Sequence, residues 1–217
     1  YRNFEKAKEI LARLRRERIY KYANITNSEN CTGDFIQNSR NCLDCYDVND
    51  SEDCRYVWVG VNVKDVYDCS NMYIKPQLNY QTLGVIETYH VAFTLYAFNS
   101  QNILYSEQVY DSKDCFGCVG LKRKQYCIFN KQYARGDYEA LVPRIIEHMK
   151  RTGKWGQFFP PQFSAHGYNE TVAHEYYPLK RNEVKARGWN WKRDDSEAAY
   201  QGPVVEVPDH IRDVPDD

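Results

Sequence analysis

Ser28-Glu-Asn-Cys31, Ser39-Arg-Asn-Cys42 and Ser51-Glu-Asp-Cys54 are one phrase written three times at a period of about twelve residues, and Val63-Lys-Asp-Val66 continues it. The phrase blurs at Leu78 and at Thr88-Tyr-His-Val91. It returns as Ser100-Gln-Asn-Ile103, Ser112-Lys-Asp-Cys115 and Lys124-Gln-Tyr-Cys127. So short a period is too small for a helix pair or a propeller blade, which take about 20–50 residues. It suits one coil of a β-solenoid, in which each coil pairs its backbone with the coils about 4.8 Å above and below.

Equivalent residues of stacked coils form columns, and the columns test the idea. One runs Cys31, Cys42, Cys54, Val66, Leu78, Val91, Ile103, Cys115 and Cys127, an interior set of Cys, Val, Leu and Ile. Three residues on, a second runs Asp34, Cys45, Val57, Cys69, Gln81, Thr94, Ser106, Cys118 and Asn130. Just before the first column stand Asn30, Asn41, Asp53, Asp65, His90, Asn102 and Asp114. Stacked Asn side chains form hydrogen-bonded ladders, and Asn and Asp tolerate the turns of a corner. Ser28, Ser39, Ser51, Ser100 and Ser112 fit the same corner.

The fold class is therefore mainly β: a right-handed parallel β-solenoid of about nine coils and about 12 residues per coil, over residues 23–135. Residues 3–19 read as a helix with an apolar stripe of Phe4, Ala7, Leu11 and Leu14, Ile10 beside it, and a face of Lys6, Lys8, Arg13, Arg15, Arg16 and Arg18. Residues 1–22 are thus expected to form a capping helix at the open N-terminal end. Residues 136–153 give a second, C-terminal capping helix with Asp137 as N-cap, Gly153 as stop and Pro143 as a kink or break. Residues 154–217, rich in aromatic residues and proline, read as an extended strap and, from about 194, a linker. A short helical turn at Glu183–Arg187 interrupts the strap.

Nineteen Tyr are an excess for 217 residues. Tyr56, Tyr80, Phe93, Tyr105 and Phe129 share a column two residues after the first, either stiffening the wall beneath the C-terminal segment or forming a partner-binding stripe. A net charge of −1 favours neither nucleic acid nor membrane, and no apolar run reaches the length of a transmembrane helix.

Two Cys-x-x-Cys pairs, Cys42/Cys45 and Cys115/Cys118, invite a zinc reading. About six coils separate them, roughly 29 Å, so they share no ion. Column neighbours point in parallel, which suits neither a tetrahedral metal site nor a disulfide. The eight thiols read as interior filling interchangeable with Val and Ile, with a local zinc site and disulfides as the alternatives. Unoxidised thiols in this number favour a reducing, cytoplasmic setting.

No catalytic signature stands out. His174-Glu175 lacks the second His of a metalloprotease, and there is no phosphate loop or nucleophile elbow. Asp44, Asp47, Asp50 and Asp68 form no stacked carboxylate set of the kind glycan-active β-helices use, and the six-residue period of hexapeptide acyltransferases is missing.

Several stretches carry a resemblance: Asn38-Ser-Arg-Asn-Cys-Leu-Asp-Cys45, Cys115-Phe-Gly-Cys-Val-Gly-Leu121, Tyr126-Cys-Ile-Phe-Asn-Lys-Gln-Tyr133, Ile145-Ile-Glu-His-Met149, Trp155-Gly-Gln-Phe-Phe159, Tyr168-Asn-Glu-Thr171 and Pro208–Asp217. Together they resemble a group of uncharacterised Cys/Asn-rich repeat proteins from candidate phyla radiation (Patescibacteria) bacteria. The resemblance implies an internal segment of a larger chain that carries zinc-ribbon modules of its own. It supplies no activity, cofactor or catalytic residue.

The expectation is a non-enzymatic binding or scaffold module with a protein partner, no cofactor, no metal and no membrane contact. One alternative is nucleic-acid or ribosome association through the basic N-terminal helix and Lys122-Arg-Lys124. The other is a glycan-active β-helix enzyme.

Overall fold

The computed structural model describes residues 3–193 and His210, and the chain divides into two compact units, Tyr1–Phe158 and Phe159–Asp217. In the first, thirteen strands join one sheet that runs from Ile25–Thr26 to Lys131–Gln132. Its pairings are parallel, as between Cys42 and Cys54 or Val91 and Ile103. The last is different: Lys131–Gln132 folds back antiparallel on Gln125–Ile128 and closes the C-terminal edge. The winding is a β-solenoid of about nine turns with about 12 residues per turn.

A finer period of three lies inside the twelve. Along a coil, one side chain points in, the next points out from extended backbone, and the third turns a corner. Between Asn38 and Asn71 the corners fall at Asn38, Asn41, Asp44, Asp47, Asp50, Asp53, Tyr56, Val59, Asn62, Asp65, Asp68 and Asn71, all with φ between +50° and +61°. This left-handed conformation costs most side chains about 1–2 kcal/mol, and Asn and Asp relieve it by hydrogen-bonding locally. Corner amides also bond between coils, as from Asn30 to Asn41 at 2.9 Å and from Asn41 to Asp53 at 2.8 Å. Ile74 turns a corner at φ +59° with its side chain exposed. Ile74→Asn is therefore expected to raise stability by about 1 kcal/mol, read as a higher urea midpoint at unchanged slope.

The inward position makes a fixed demand. A small side chain there reaches the carbonyl two residues back. Ser51 Oγ donates to Asn49 O at 2.7 Å and accepts from Val63 N–H at 3.2 Å. Ser112 Oγ donates to Tyr110 O at 2.7 Å and accepts from Lys124 N–H at 3.1 Å. The thiols copy this geometry: Cys54 Sγ lies 3.2 Å from Glu52 O, Cys69 Sγ 3.2 Å from Tyr67 O, and Cys115 Sγ 3.4 Å from Lys113 O. Ser, Thr and Cys thus alternate with Val and Ile inside because each is small and each buried hydroxyl finds a partner.

Two sequence columns are out of step with the structure. Val66 pairs with Asn79 and Met72 with Val85, a coil of thirteen residues, whereas Gln77 pairs with Tyr89 at twelve. The surplus residue sits at Ile74-Lys75, two successive positive-φ positions. Beyond it the inward residues are Asn79 and Thr82, not Leu78 and Gln81. Asn79 is satisfied by Thr88 Oγ1 at 2.8 Å and Val91 N–H at 3.0 Å. At the first coil Gly33, not Asp34, stands opposite Cys45. A Cβ on Gly33 would lie 1.7 Å from the Cys45 carbonyl oxygen, so glycine is required there.

The helix α1 (Phe4–Glu17) forms as its periodicity predicts but buries none of its residues. Its stripe of Phe4, Leu11 and Leu14 stays exposed and is not set against the first coil. The second helix, α2 (Arg135–Arg151), begins after Ala134 and runs unbroken through Pro143. Gly153, at φ +68°, ends it: Gly153 N–H bonds Lys150 O and Lys154 N–H bonds Met149 O, a Schellman closure. The apolar residues of α2 lie along a side wall of the coils, where Leu141, Val142, Ile145, Ile146 and Met149 pack with Phe93, Tyr105, Phe116 and Ile128. The stripe is too long to spend on the last coil alone.

Residues 159–193, the described stretch of the second unit, are not extended. Short turns at Pro161–Phe163 and Tyr168–Glu170 lead to α3 (Val172–Tyr176) and α4 (Arg181–Ala186). Carboxylates cap these turns, with Gly167 N–H donating to Glu170 Oε2 at 2.8 Å and Lys180 N–H to Glu183 Oε2 at 2.6 Å. Asn169 clamps Lys192 through Oδ1 at 2.9 Å and Nδ2 at 3.0 Å. The linker expected from about 194 lies outside the described residues, His210 excepted.

An aromatic wall as the candidate interaction site

Outward and corner residues that follow the first inward column build one wall, and aromatic rings run up it without a gap. Ring centroids are 5.4 Å apart from Tyr56 to Tyr67, 5.7 Å to Tyr80, 5.3 Å to Phe93 and 4.6 Å to Tyr105. The run continues at 5.6 Å to Phe116 and 6.3 Å to Phe129. The spacing follows from the coil repeat, because a ring on every coil meets the next one about 4.8 Å away. Edge-on contacts, as between Tyr56 and Tyr67 at 83°, match the preference of aromatic quadrupoles.

The wall has two halves. Above, Phe93 and Tyr105 are each 3 % exposed. Trp155 covers them at 6.2 and 5.8 Å, and Phe158 lies 6.5 Å from Phe93. Tyr105 Oη accepts the Gly156 N–H at 2.9 Å, and burial pushes its phenol pKa up. Below, Tyr56 and Tyr67 are 42 % exposed and Tyr80 is 37 % exposed. Asp44, Asp53, Asp65 and Asp68 edge this open half, all exposed. Its one cation, Arg55, lies 4.8 Å over the Tyr56 ring.

The sequence stripe is thus divided. Tyr56 and Tyr80 lie on the open half and Phe129 is exposed beyond the covered one. Phe93 and Tyr105 belong to a second core beneath α2 and offer a partner nothing. Tyr80 stands in the outward position beside Tyr67, not in the corner column, because Lys75 shifts the register. Tyr67 and Phe116 were missed because they stand one residue, not two, after the inward residues Val66 and Cys115. Also missed is the adjacent wall, where Tyr46 pairs with Trp58, both exposed.

The other candidates do not converge. Asp44, Asp47, Asp50 and Asp53 occupy successive corners of one coil and point outward in different directions. Among the described residues no three His, Cys, Asp or Glu side chains are placed to hold one ion. All eight cysteines are free thiols and all but Cys31 are buried. Burial pushes Cys69 up to about 11. The hydrogen bond with Cys42, then burial, raises Cys45 and Cys54. Cys42 and Cys118 shift the other way, lowered first by their hydrogen bonds to Cys45 and Cys115, so what withholds the buried thiols from reagents is burial itself. Alkylation of the native protein is expected to modify Cys31 first and the seven buried thiols only after denaturation, which mass spectrometry of labelled peptides reads directly.

No family model matches the chain, and no curated protein matches it. Among solved structures, one from Bacillus cereus described as a candidate acetyltransferase aligns at 15% identity over 62% of this chain and 97% of that one, with a TM-score of 0.18. A likeness that slight carries no argument about what this chain does.

Proposed function

We propose that the chain is a non-enzymatic binding module and that the open half of the aromatic wall, centred on Tyr56, Tyr67 and Tyr80, receives a protein partner. The observation that supports this reading is the exposed, mutually packed ring series on a backbone held by parallel pairing on both sides. Tyrosine is a favoured anchor at interfaces, being large, rigid and amphipathic. A wall that needs no ordering on binding also loses little conformational entropy. We further propose a reducing, cytoplasmic setting, in keeping with the unpaired thiols, and a place within a larger zinc-ribbon-bearing chain, as the resemblance implies.

The test is affinity capture from expressing cells with the wild-type chain and with Tyr56→Ala/Tyr67→Ala. Proteins enriched by the wild type are expected to fall at least about tenfold with the variant. The same set retained by both would remove the wall from the account.

A further inference from the structure

We propose that the open half of the wall is the seat for α1 of a second copy of this chain, an inference that rests on the binding role given to that wall above. The covered half shows what the surface accepts. Phe93, Tyr105 and Phe116 take an amphipathic helix, α2, through Leu141, Ile145 and Met149. Tyr56, Tyr67 and Tyr80 continue the same ring series and stay exposed, with no helix laid over them.

The chain also owns a helix without a seat. On α1, Phe4, Ala7, Leu11 and Leu14 line one face at helical spacing, and none of its residues is buried. From Phe4 to Leu14 the helix rises about 15 Å, enough to cover the two coil steps, roughly 10 Å, from Tyr56 to Tyr80. Lys8 and Arg15 flank the stripe on one side, whereas Lys6 and Arg13 lie toward the far face, behind Ile10 and Glu17. The open half of the wall is edged by Asp44, Asp53, Asp65 and Asp68. A basic shoulder meeting an acidic rim, of which Asp44 alone faces Arg55, at 3.9 Å, favours this occupant and disfavours a polyphosphate.

Within one chain neither surface covers the other. After α1 the chain folds back locally, with Tyr20 Oη donating to Arg15 O at 2.6 Å and Arg18 4.1 Å over the Tyr20 ring. Exchange of α1 between two copies satisfies both surfaces twice and closes a two-fold dimer.

Sedimentation equilibrium of the full chain, up to roughly 100 µM, tests this. The wild type is expected to dimerise. Leu11→Glu/Leu14→Glu spoils the helix and Tyr67→Ala/Tyr80→Ala spoils the seat; each alone is expected to weaken dimerisation at least about a hundredfold. Mixing the two restores a heterodimer, because one intact helix then meets one intact seat. Asp44→Lys/Asp68→Lys, at exposed corners, is expected to weaken dimerisation at least about tenfold without touching the core.

A monomeric wild type, a dimer indifferent to both double variants, or a mixture that stays monomeric overturns the assignment. So does concentration-independent protection of α1 amides, which would seat α1 on its own chain. Association of α1 with phosphatidylglycerol vesicles in place of dimerisation overturns it too. If the wild type is monomeric while cellular capture still depends on Tyr56 and Tyr67, only the assignment of α1 fails. If capture is also indifferent, the binding role of the wall fails with it.

Discussion

Deleting Asp47 is expected to cost at least about 4 kcal/mol, whereas deleting Lys75 is expected to cost less than about 1 kcal/mol. Both remove one charged, exposed residue from the winding. The difference lies in the phase of three. Asp47 is a corner between the inward residues Cys45 and Val48. Without it the coil is one residue short, and everything beyond must either turn its inward side chains outward or break pairing with the next coil. Lys75 is the surplus residue of the thirteen-residue coil. Without it Met72, Pro76 and Asn79 fall into the same three-residue phase as the twelve-residue coils on either side. Urea denaturation followed by circular dichroism compares the two. Equal losses would mean that the inward, outward and corner positions are not what holds the coils in register.

Tyr105→Ala is expected to cost about 3–5 kcal/mol, the range for emptying an aromatic site in a core. Its ring contacts Phe93, Phe116 and Trp155, and its hydroxyl satisfies the Gly156 N–H. The loss should also be local. The coils keep their backbone pairing, but α2 and the Trp155 turn lose the ring on which they rest. Hydrogen exchange is expected to speed up across Arg135–Trp155 far more than across the lower coils. Tyr67→Ala, on the open half, is expected to leave that segment unchanged. Uniform acceleration along the chain would show that α2 is part of the solenoid's own stability and not a lid laid on it.

The twelve-residue repeat was legible because its corner and column residues, Asn30-Cys31, Asn41-Cys42 and Asp53-Cys54, recur as words. The period of three was not. Hydrophobic periodicity hides it: inward positions accept Ser51, Gly60 and Thr94 as readily as Val48, while outward ones accept Trp58 and Tyr67. Its signal was present in Asp44, Asp47, Asp50 and Asp53, read from the sequence as scattered acids when each pays the conformational demand of a corner. Lys75 cost the reading one residue of register, enough to put Leu78 and Gln81 inside in place of Asn79 and Thr82.

The wall was half legible. A column of rings is visible in sequence, but which rings stay open depends on where α2 lies, a tertiary choice no local pattern reveals. Residues 159–193 read as extended because Pro, Gly and aromatic residues suggest it. The carboxylates of Glu170 and Glu183 instead cap short turns from three residues away.

Nuclear Overhauser contacts between backbone protons of successive coils test the central claim, that equivalent side chains stack along one axis with a single surplus residue. Cross-peaks are expected from Cys54 to Val66, from Val66 to Asn79 and from Thr82 to Thr94. Strong intraresidue amide–Hα contacts are expected at the positive-φ corners Asp44, Asp47, Asp50 and Asp53. Contacts from Val66 to Leu78 in place of Asn79, or corners with ordinary extended backbone, would contradict it.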